Sequence, residues 1–295
     1  MKQQFRGTGV ALVTPFLENG KIDFVSYEKI IEHVVGGGVD FVVALGTTGE
    51  ASSLSNAESL EILDFTKKIV ASRVPIVVGF FGGNNTAELV EKIKNFDFEG
   101  FAAIMSSSPA YVKPTQEGIF RHYMALAEVA PRPIIIYNVP SRTSSNIEAS
   151  TTLRLAHASE KFIAVKEASA NMMQVMKIIK NRPPNFLVIS GDDTLALPTV
   201  AAGGDGVISV IANALPKEFS DLTRAALAGN FAEARRLNEL LLDLHHWLYV
   251  EGNPAGIKAT LELLRLCRQN LRLPLSPVSD EIFAAIQAEL ERIKQ

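Results

Sequence analysis

The sequence predicts an α/β protein folded as a closed (β/α)8 barrel, the TIM-barrel architecture, with a small helical appendage at its C-terminal end. Eight short apolar runs alternate with longer amphipathic stretches, which is the pattern of repeated βα units. The runs are almost continuously hydrophobic, as parallel strands buried on both faces require. The length of 295 residues is close to the usual size of one such barrel. A doubly wound open sheet is the alternative, but no predicted strand is followed by a Gly-x-Gly-x-x-Gly turn.

The predicted strands are separated by recognisable helix signals. Ser55 and Glu58 form a capping box that opens a helix through residue 70, and Thr86 and Thr115 are the expected N-caps of the next two helices. Three glycines at 36–38 are expected to end the first helix. The eight predicted strands span residues 10–16, 41–45, 75–81, 101–105, 133–137, 162–165, 186–189 and 206–211.

Helical patterns alone follow after Pro216. The first of them completes the eighth βα unit, and the others exceed what a barrel needs. We therefore expect a catalytic barrel over 1–229 and a helical domain over 230–295. Asn253 and Pro254 are expected to be the N-cap and the first residue of one of these helices. The predicted helices span residues 217–228, 231–250, 254–268 and 279–294.

The composition excludes several classes of protein. A net charge of −3, with no basic run, argues against a nucleic-acid partner. No apolar run approaches membrane-spanning length, and the first residues lack the features of a signal peptide. Cys267 is the only cysteine, so no intrachain disulfide is expected and a reducing compartment is favoured. These features predict a cytoplasmic protein.

Lys166 is the leading candidate for chemistry because it ends the sixth predicted strand. A lysine buried at that position would be disfavoured in its charged ammonium form. A neutral amine attacks carbonyl groups and forms a Schiff base. The alternative is a lysine that extends out to water, which is favoured for an isolated strand-end lysine. Lys166 is not isolated, because polar residues follow most of the other strands as well.

The other strand ends add candidate binding groups at the edge where barrel enzymes place their chemistry. The sequence Gly-Thr-Thr-Gly at 46–49 offers backbone N–H groups and hydroxyls to a carboxylate or phosphate, although it lacks the lysine of a P-loop. Tyr137 can relay protons, or it can pack at the rim. Arg142 can bind a carboxylate, or it can lie in solvent.

The sequence favours a mechanism without metal or cofactor. Asp192 and Asp193 are neighbours at a strand end and should point to opposite sides, so one is expected to cap the following helix. The histidines are single or diverge on helices, and no His-Glu-x-x-His or Cys-x-x-Cys spacing exists.

The chain resembles the family of pyruvate-dependent class I aldolases and lyases that includes N-acetylneuraminate lyase, from about residue 7 to the C-terminal helices. Five motifs occur in the family's order: Gly-Thr-Thr-Gly-Glu at 46–50, Tyr-Asn-Val-Pro at 137–140, Val-Lys-Glu at 165–167, Ser-Gly-Asp-Asp at 190–193 and Gly-Val-Ile-Ser at 206–209. Pro-Ser-Arg-Thr at 140–143 resembles the synthase branch, as do the double threonine and Asn-Pro-Ala-Gly-Ile-Lys at 253–258. The sugar-acid lyases usually lack that arginine.

The resemblance implies a reaction. Lys166 would form a Schiff base with pyruvate, whose carboxylate would lie on the amides of Thr47 and Thr48 and the hydroxyl of Thr48. The resulting enamine would attack L-aspartate 4-semialdehyde, held by Arg142. The product would be 4-hydroxy-tetrahydrodipicolinate, on the route to diaminopimelate and lysine.

The resemblance also implies the supporting residues. Tyr137, Thr47 and Tyr111 would form a proton relay, with Tyr111 reaching in from a neighbouring subunit. Gly191 and Ile208 would line the substrate pocket through their backbone. The protein would then be a homo-oligomer of at least two subunits, and we expect a tetramer because tetramers are common among relatives.

One regulatory feature departs from the family pattern. Lysine-inhibited members place two tyrosines in tandem where this chain has Ala110 and Tyr111, and often use histidines where it has Asn56 and Ser59. Asn84 and Glu88 match the inhibited pattern. A charge-assisted hydrogen bond to the missing tyrosine is worth about 1.5–3 kcal/mol, so we expect weak or absent inhibition by lysine.

Two other functions remain open from the sequence. A sugar-acid aldolase would use the same Schiff base, but a polyol substrate needs hydroxyl partners where Arg142 offers a counter-ion. A non-catalytic barrel that senses a small molecule would be expected to lack the nucleophile or its relay, yet Lys166, Tyr137, Thr47 and Tyr111 are all present.

Overall fold

The computed structural model describes residues 3–79 and 81–294, and within them the chain forms a closed barrel of eight parallel strands in sequence order. The predicted barrel is confirmed. The strands are β1 Gly7–Ala11, β2 Phe41–Ala44, β3 Ile76–Val78, β4 Ala103–Ser107, β5 Ile134–Asn138, β6 Phe162–Glu167, β7 Leu187–Ser190 and β8 Gly206–Ser209.

Helices surround the barrel and continue beyond it. They are α1 Phe24–Gly36, α2 Asn56–Val70, α3 Thr86–Asn95, α4 Gln116–Val129, α5 Pro140–Thr143, α6 Ala149–Ala158, α7 Met172–Asn181, α8 Ala196–Ala201, α9 Pro216–Leu227, α10 Phe231–Trp247, α11 Ala255–Leu263 and α12 Asp280–Ile293. Helix α10 packs against α9 and α12, and α11 packs against α12. Across residues 3–79 and 81–294, none of the helices has the length and apolarity needed to cross a membrane.

Of the four helix signals predicted in the first half of the chain, three are confirmed and one is wrong. Ser55 and Glu58 form the expected capping box at the start of α2, Thr115 caps α4, and Gly37 ends α1. The predicted cap Thr86 is wrong by one residue, because the side chain of Asn85 accepts the hydrogen bond from the Glu88 N–H and Thr86 is already helical.

The first predicted strand was placed too late in the sequence. Strand β1 begins at Gly7, and Phe16 makes only an isolated bridge with Ile22. The glycines that hide this strand from a hydrophobicity pattern are required by close packing: a Cβ on Gly9 would lie 2.3 Å from the Phe41 ring. The third predicted strand was too long, and its residue Phe80 lies outside the described residues, as do Met1, Lys2 and Gln295.

Two hydrophobic layers follow from the alternation of side chains along each strand. In β5, Ile134 and Ile136 belong to the core between strands and helices, whereas Ile135 and Tyr137 belong to the barrel interior. In β6, Val165 faces outwards and Ala164 inwards. Lys166 therefore points into the barrel, at the carboxyl end of its strand.

A buried ion pair joins the loop after β2 to the C-terminal helices. Lys258 of α11 and Glu50 are both fully buried and hydrogen-bonded to each other. Lys258 Nζ also donates to the carbonyl oxygen of Asn270 at 2.8 Å and lies 4.3 Å from the centroid of the Phe16 ring. The backbone N–H of Arg272 donates to the second Glu50 oxygen at 3.3 Å. The helices beyond the barrel thus hold a strand-end loop in place.

This pair generates a stability prediction. We expect Lys258→Met to lower the free energy of unfolding by about 3–5 kcal/mol, because it leaves the Glu50 carboxylate buried without its counter-ion. Combining Glu50→Gln with Lys258→Met should recover most of the loss, since no charge then remains buried. Urea denaturation followed by circular dichroism measures both effects. Lys217→Met, which breaks an exposed pair with Asp221, is the control, and equal stability of Lys258→Met and Lys217→Met would contradict the prediction.

Candidate active site

Strands β5 and β6 bring Tyr137 and Lys166 side by side. The two residues are direct partners in the parallel ladder, and Lys166 Nζ lies 4.3 Å from the centroid of the Tyr137 ring. Both side chains are almost completely buried, with 5% of Lys166 and 7% of Tyr137 exposed. The predicted burial of the lysine is therefore present in the structure. The Tyr137 ring therefore covers one side of the Lys166 amine.

The opposite faces of the same strands carry a polar network that fixes their register. Asn138 is the ladder partner of Glu167, and its Nδ2 donates to both Glu167 carboxylate oxygens at 3.0 and 3.1 Å. Gln174 Nε2 from α7 donates to the same carboxylate at 2.8 Å, and so does the Ser169 N–H. Because all of these groups are buried or nearly so, the strands cannot slip without leaving polar groups unpaired.

The loop 46–50 lines the same cavity as Tyr137 and Lys166, and three contacts hold it in place. Thr14 Oγ1 donates to the Gly49 carbonyl oxygen at 2.8 Å, and Asn253 Nδ2 donates to Thr48 Oγ1 at 3.1 Å. The third anchor is the Glu50–Lys258 pair. The loop is therefore fixed before any ligand arrives, as a binding site for an anion requires.

Asn253 does not act as the helix cap that its position before Pro254 suggested. Its side chain makes no cap for α11, whose N-cap is Pro254, and bonds Thr48 instead. Its carbonyl oxygen accepts a hydrogen bond of 3.0 Å from Arg142 Nη2. The prediction was wrong because a cap is a local signal, whereas Thr48 lies 205 residues away in the sequence.

The expected cap at Asp192 or Asp193 is also wrong, because α8 has no side-chain cap. Asp193 is buried, and its carboxylate accepts hydrogen bonds from the N–H groups of Val210 and Ile211 at 3.0 and 2.9 Å. Burial raises the pKa of Asp193, although these N–H groups and nearby His245 favour its charged form. Asp193 thereby fixes the end of β8 beside the site.

A cavity of about 730 Å³ opens at the carboxyl ends of the strands and is lined by most of the predicted catalytic and substrate-binding residues. Its walls come from the strand-end loops and from α10 and the residues that follow it. This first cavity is lined by Thr47, Thr48, Tyr137, Val139, Ser141, Arg142, Lys166, Ala168, Gly191, Asp192, Thr194, Val210, His245, His246, Tyr249, Val250, Gly252 and Asn253.

Gly191 and Ile208 have different places around the first cavity. Gly191 lines it, and a Cβ there would lie 2.7 Å from Ala168 Cβ and 3.1 Å from Lys166 Cε. The missing side chain therefore leaves room for the lysine. Ile208 is buried in the barrel interior and is not among the described lining residues, so its predicted role through the backbone stays a prediction.

Tyr111 lies outside the first cavity. Its side chain is 89% exposed, and its backbone N–H donates to the Thr143 carbonyl oxygen at 3.0 Å. This bond joins the Tyr111 segment to α5, the short helix that carries Arg142. The structure of one chain does not bring Tyr111 to Lys166.

A second cavity of about 560 Å³ adjoins the first and shares Thr47, Tyr137, Val139 and Arg142 with it. Among the candidate regulatory residues, Asn56 and Ala110 line it, and Asn84 Oδ1 accepts a 2.8 Å hydrogen bond from the Ala110 N–H. Ser59 is buried and donates to the Ser55 carbonyl oxygen. Glu88 is exposed on α3. This second cavity is also lined by Leu45, Gly46, Ala51, Ser52, Leu54, Gly79, Gly82, Gly83, Lys92, Met105, Ser107 and Thr143.

The sequence predicted no role for four residues in or near the two cavities: Glu50, Lys258, His245 and Lys92. A lysine inside the otherwise uncharged stretch Ala-Gly-Ile-Lys-Ala-Thr-Leu was a usable signal for burial of Lys258. Lys92 follows an ordinary amphipathic pattern and carried no such signal. His245 is buried, and neither ring nitrogen has a hydrogen-bond partner among the described residues. In that same part of the chain, no cluster of three or more potential metal ligands occurs.

Comparison with known proteins agrees with this geometry. The chain is 47% identical to the 4-hydroxy-tetrahydrodipicolinate synthase of Porphyromonas gingivalis, over 100% of this chain and 99% of that protein. The dihydrodipicolinate synthase of Cyanidioschyzon merolae, solved with lysine bound, superposes with a TM-score of 0.94 at 34% identity, covering 99% of both chains. The chloride-inhibited dihydrodipicolinate synthase of Acinetobacter baumannii, complexed with pyruvate, gives a TM-score of 0.93 at 36% identity, covering 98% of this chain and 99% of that one.

The family model for these proteins covers almost the whole chain. It matches residues 4–293, a span that contains the barrel, both cavities and the C-terminal helices. The chain therefore belongs to the dihydrodipicolinate synthetase family.

Proposed function

We propose that this protein is a class I aldolase-type lyase that condenses pyruvate with L-aspartate 4-semialdehyde to give 4-hydroxy-tetrahydrodipicolinate. The observation that carries the proposal is Lys166, buried against Tyr137 inside a cavity that also contains Thr47, Thr48 and Arg142. The synthase of Porphyromonas gingivalis, and the Acinetobacter baumannii enzyme solved with pyruvate, support this assignment of the substrates. The reaction would be the first committed step towards diaminopimelate and lysine.

The first half of the reaction uses the inner end of the first cavity. The Lys166 amine adds to the ketone carbon of pyruvate, and loss of water gives the iminium. The pyruvate carboxylate is placed on the loop 46–50, whose amides and Thr48 hydroxyl are fixed by the contacts described above. The iminium withdraws electrons, so a methyl proton leaves to a base and an enamine forms. Tyr137 and Thr47, which line the same cavity, are assigned to this proton transfer.

The second half uses the outer end. The enamine carbon attacks the aldehyde carbon of the semialdehyde, whose oxygen takes a proton. The amino group of the joined substrate then attacks the iminium carbon, which closes the ring and releases the Lys166 amine. Arg142 lies at the rim, where its guanidinium can bind the semialdehyde carboxylate in a planar, two-pronged geometry. Asn253 accepts a hydrogen bond from Arg142 and donates one to Thr48. Asn253 thereby connects Thr48, which is assigned to the pyruvate carboxylate, with Arg142, which is assigned to the semialdehyde carboxylate.

Trapping the intermediate tests the nucleophile. Incubation with pyruvate and sodium borohydride should add one reduced pyruvyl group to the protein, and peptide mapping should locate it on Lys166. Lys166→Ala should remain unmodified and lose its rate with pyruvate and aspartate semialdehyde, measured with a coupled dihydrodipicolinate reductase.

Lys161→Ala, which changes a lysine just before the start of the same strand, is the matched control and should behave like the wild type. Adduct formation without turnover of aspartate semialdehyde would instead favour cleavage of a sugar acid by the same Schiff base.

We propose that Tyr111 completes the site of a neighbouring subunit, which makes the enzyme at least a dimer and by resemblance a tetramer. Its exposure in a single chain supports this assignment, because an exposed tyrosine leaves a large apolar ring in water.

A reducing compartment suits the single buried Cys267, and we infer a cytoplasmic enzyme. We also propose the division into a catalytic barrel over 1–229 and a helical domain over 230–295.

Mixing two inactive variants tests the role of Tyr111. Tyr111→Phe and Lys166→Ala should each have little activity alone, whereas subunit exchange between them should restore part of it. Restoration follows because a hybrid dimer contains one site with both an intact Lys166 and an intact partner tyrosine. Full activity of Tyr111→Phe, or no recovery in hybrids isolated by two different affinity tags, would contradict the assignment.

We propose that lysine inhibits this enzyme weakly or not at all. Ala110 supplies no hydroxyl to the second cavity, and the ammonium group of Lys92 opposes a cationic ligand there. We expect the initial rate to be unchanged by lysine below the millimolar range. Strong inhibition in the micromolar range would refute the proposal.

A further inference from the structure

Two threonine hydroxyls at the loop 46–50 are used in opposite ways. Thr14 Oγ1 donates its proton to the Gly49 carbonyl oxygen at 2.8 Å. Thr48 Oγ1 instead accepts a hydrogen bond of 3.1 Å from Asn253 Nδ2, and it donates to none of the residues that the structure describes. A hydroxyl has one proton to donate and two lone pairs that accept. The proton of Thr48 therefore stays available to a ligand.

The contact between Asn253 and Thr48 is buried at the wall of the first cavity. Thr48 is 3% exposed and Asn253 is 8% exposed, and both residues line that cavity together with Lys166. An amide N–H can only donate, so it occupies one lone pair of the Thr48 oxygen and leaves the hydroxyl proton directed elsewhere. In a buried site, water does not readily take over the part of the amide. The direction of the Thr48 hydroxyl is therefore set by Asn253.

The asparagine side chain is not explained by its contribution to stability. Its Oδ1 atom is buried and has no hydrogen-bond partner among the described residues. A buried polar atom without a partner lowers the stability of a protein, and such atoms in native structures call for another explanation. The one contact that this side chain makes in the described structure is its hydrogen bond to Thr48.

The two contacts of Asn253 can be changed separately. Its backbone carbonyl oxygen accepts the 3.0 Å hydrogen bond from Arg142 Nη2, whereas its side chain bonds Thr48. A substitution at position 253 therefore removes the contact with Thr48 while the backbone partner of Arg142 remains. Only the threonine end of the cavity should respond to the change.

We propose that Asn253 is a positioning residue for pyruvate, whose side-chain amide holds the Thr48 hydroxyl as a hydrogen-bond donor towards the pyruvate carboxylate. The inference deepens the proposed function and rests on it for the identity of the carboxylate. Asn253 does not touch the substrate in this assignment. It acts through Thr48, and it makes the hydroxyl select a ligand group that accepts hydrogen bonds.

Asn253→Asp tests the direction of the hydroxyl, because a carboxylate can only accept. The Thr48 proton should then turn to the new carboxylate and away from pyruvate. We expect the half-saturating concentration of pyruvate to rise at least about tenfold, since a charge-assisted hydrogen bond to the substrate is lost. The maximal rate and the half-saturating concentration of aspartate semialdehyde should stay close to the wild-type values, because Lys166 and Arg142 keep their contacts.

A double-mutant cycle with Thr48→Val separates the hydroxyl from the added charge. Repulsion between the new carboxylate and pyruvate would act whether or not position 48 carries a hydroxyl, whereas misdirection of the hydroxyl requires one. In the Thr48→Val background we therefore expect Asn253→Asp to change pyruvate binding by less than about threefold. Asn230→Asp is the matched control, because Asn230 is exposed and caps α10 through Oδ1, a bond that an aspartate also accepts. It should leave pyruvate binding unchanged.

Two results would overturn the inference. If Asn253→Asp binds pyruvate as the wild type does, the contact only anchors the loop, since a hydrogen bond from Thr48 to the aspartate anchors it equally. If the loss is the same in the Thr48→Val background, charge repulsion explains it.

Trapping with borohydride at increasing pyruvate concentrations separates this inference from the proposed function. The amount of adduct at saturation tests Schiff-base formation on Lys166, whereas the concentration at half saturation tests the role of Asn253. A wild type that forms no adduct contradicts the proposed function, and calorimetric titration of the same variants with pyruvate then still compares their affinities.

Discussion

The register between β5 and β6 is the constraint on which the site depends. In a parallel ladder, residues that are partners point to the same face, so the pairing of Tyr137 with Lys166 sends both side chains into the barrel. The next pair, Asn138 and Glu167, points outwards and closes a hydrogen-bonded network with α7. A shift by one residue would exchange the two faces and bury the carboxylate among apolar side chains. The polar network outside the barrel thus holds Tyr137 and Lys166 side by side inside it.

Two groups that line the first cavity around this pair are held by a distant part of the chain. Lys166 and Tyr137 belong to the barrel, whereas the Thr48 hydroxyl and the Arg142 guanidinium are both fastened to Asn253, beyond the last strand. Helix α10 and the residues that follow it therefore form part of the wall of the first cavity and do more than cover the barrel. This arrangement allows substrate preference to change through the helices while the strand residues stay fixed, as is common in barrels that support many reactions.

Much of this structure was predictable from local patterns, and the failures have physical causes. Continuous apolar runs revealed the barrel, and short motifs revealed Lys166, Tyr137, Thr47, Thr48 and Arg142. Strand β1 was misplaced because it contains Gly7 and Gly9, which do not look like strand residues. Both must be glycine because a side chain would clash with Asp40 or Phe41, and the sequence of β1 alone does not show this. Asn253 and Asp193 were misread as caps because their partners are distant in sequence. Lys92 was missed because an amphipathic helix shows which face is polar but not what that face adjoins.

The ion pair between Glu50 and Lys258 also has a consequence for the order in which the protein is made. Synthesis proceeds from the N-terminus, so all eight strands, including the β1–β8 pair that closes the barrel, exist before residue 258 has been added. Until then, Glu50 lacks its counter-ion and the loop 46–50, to which it belongs, lacks its last anchor. A chain that ends after β8 would lack both Asn253 and Lys258, and with them two of the three anchors of the loop 46–50. The loop 46–50 can therefore acquire its full set of anchors only after residue 258 has been synthesised.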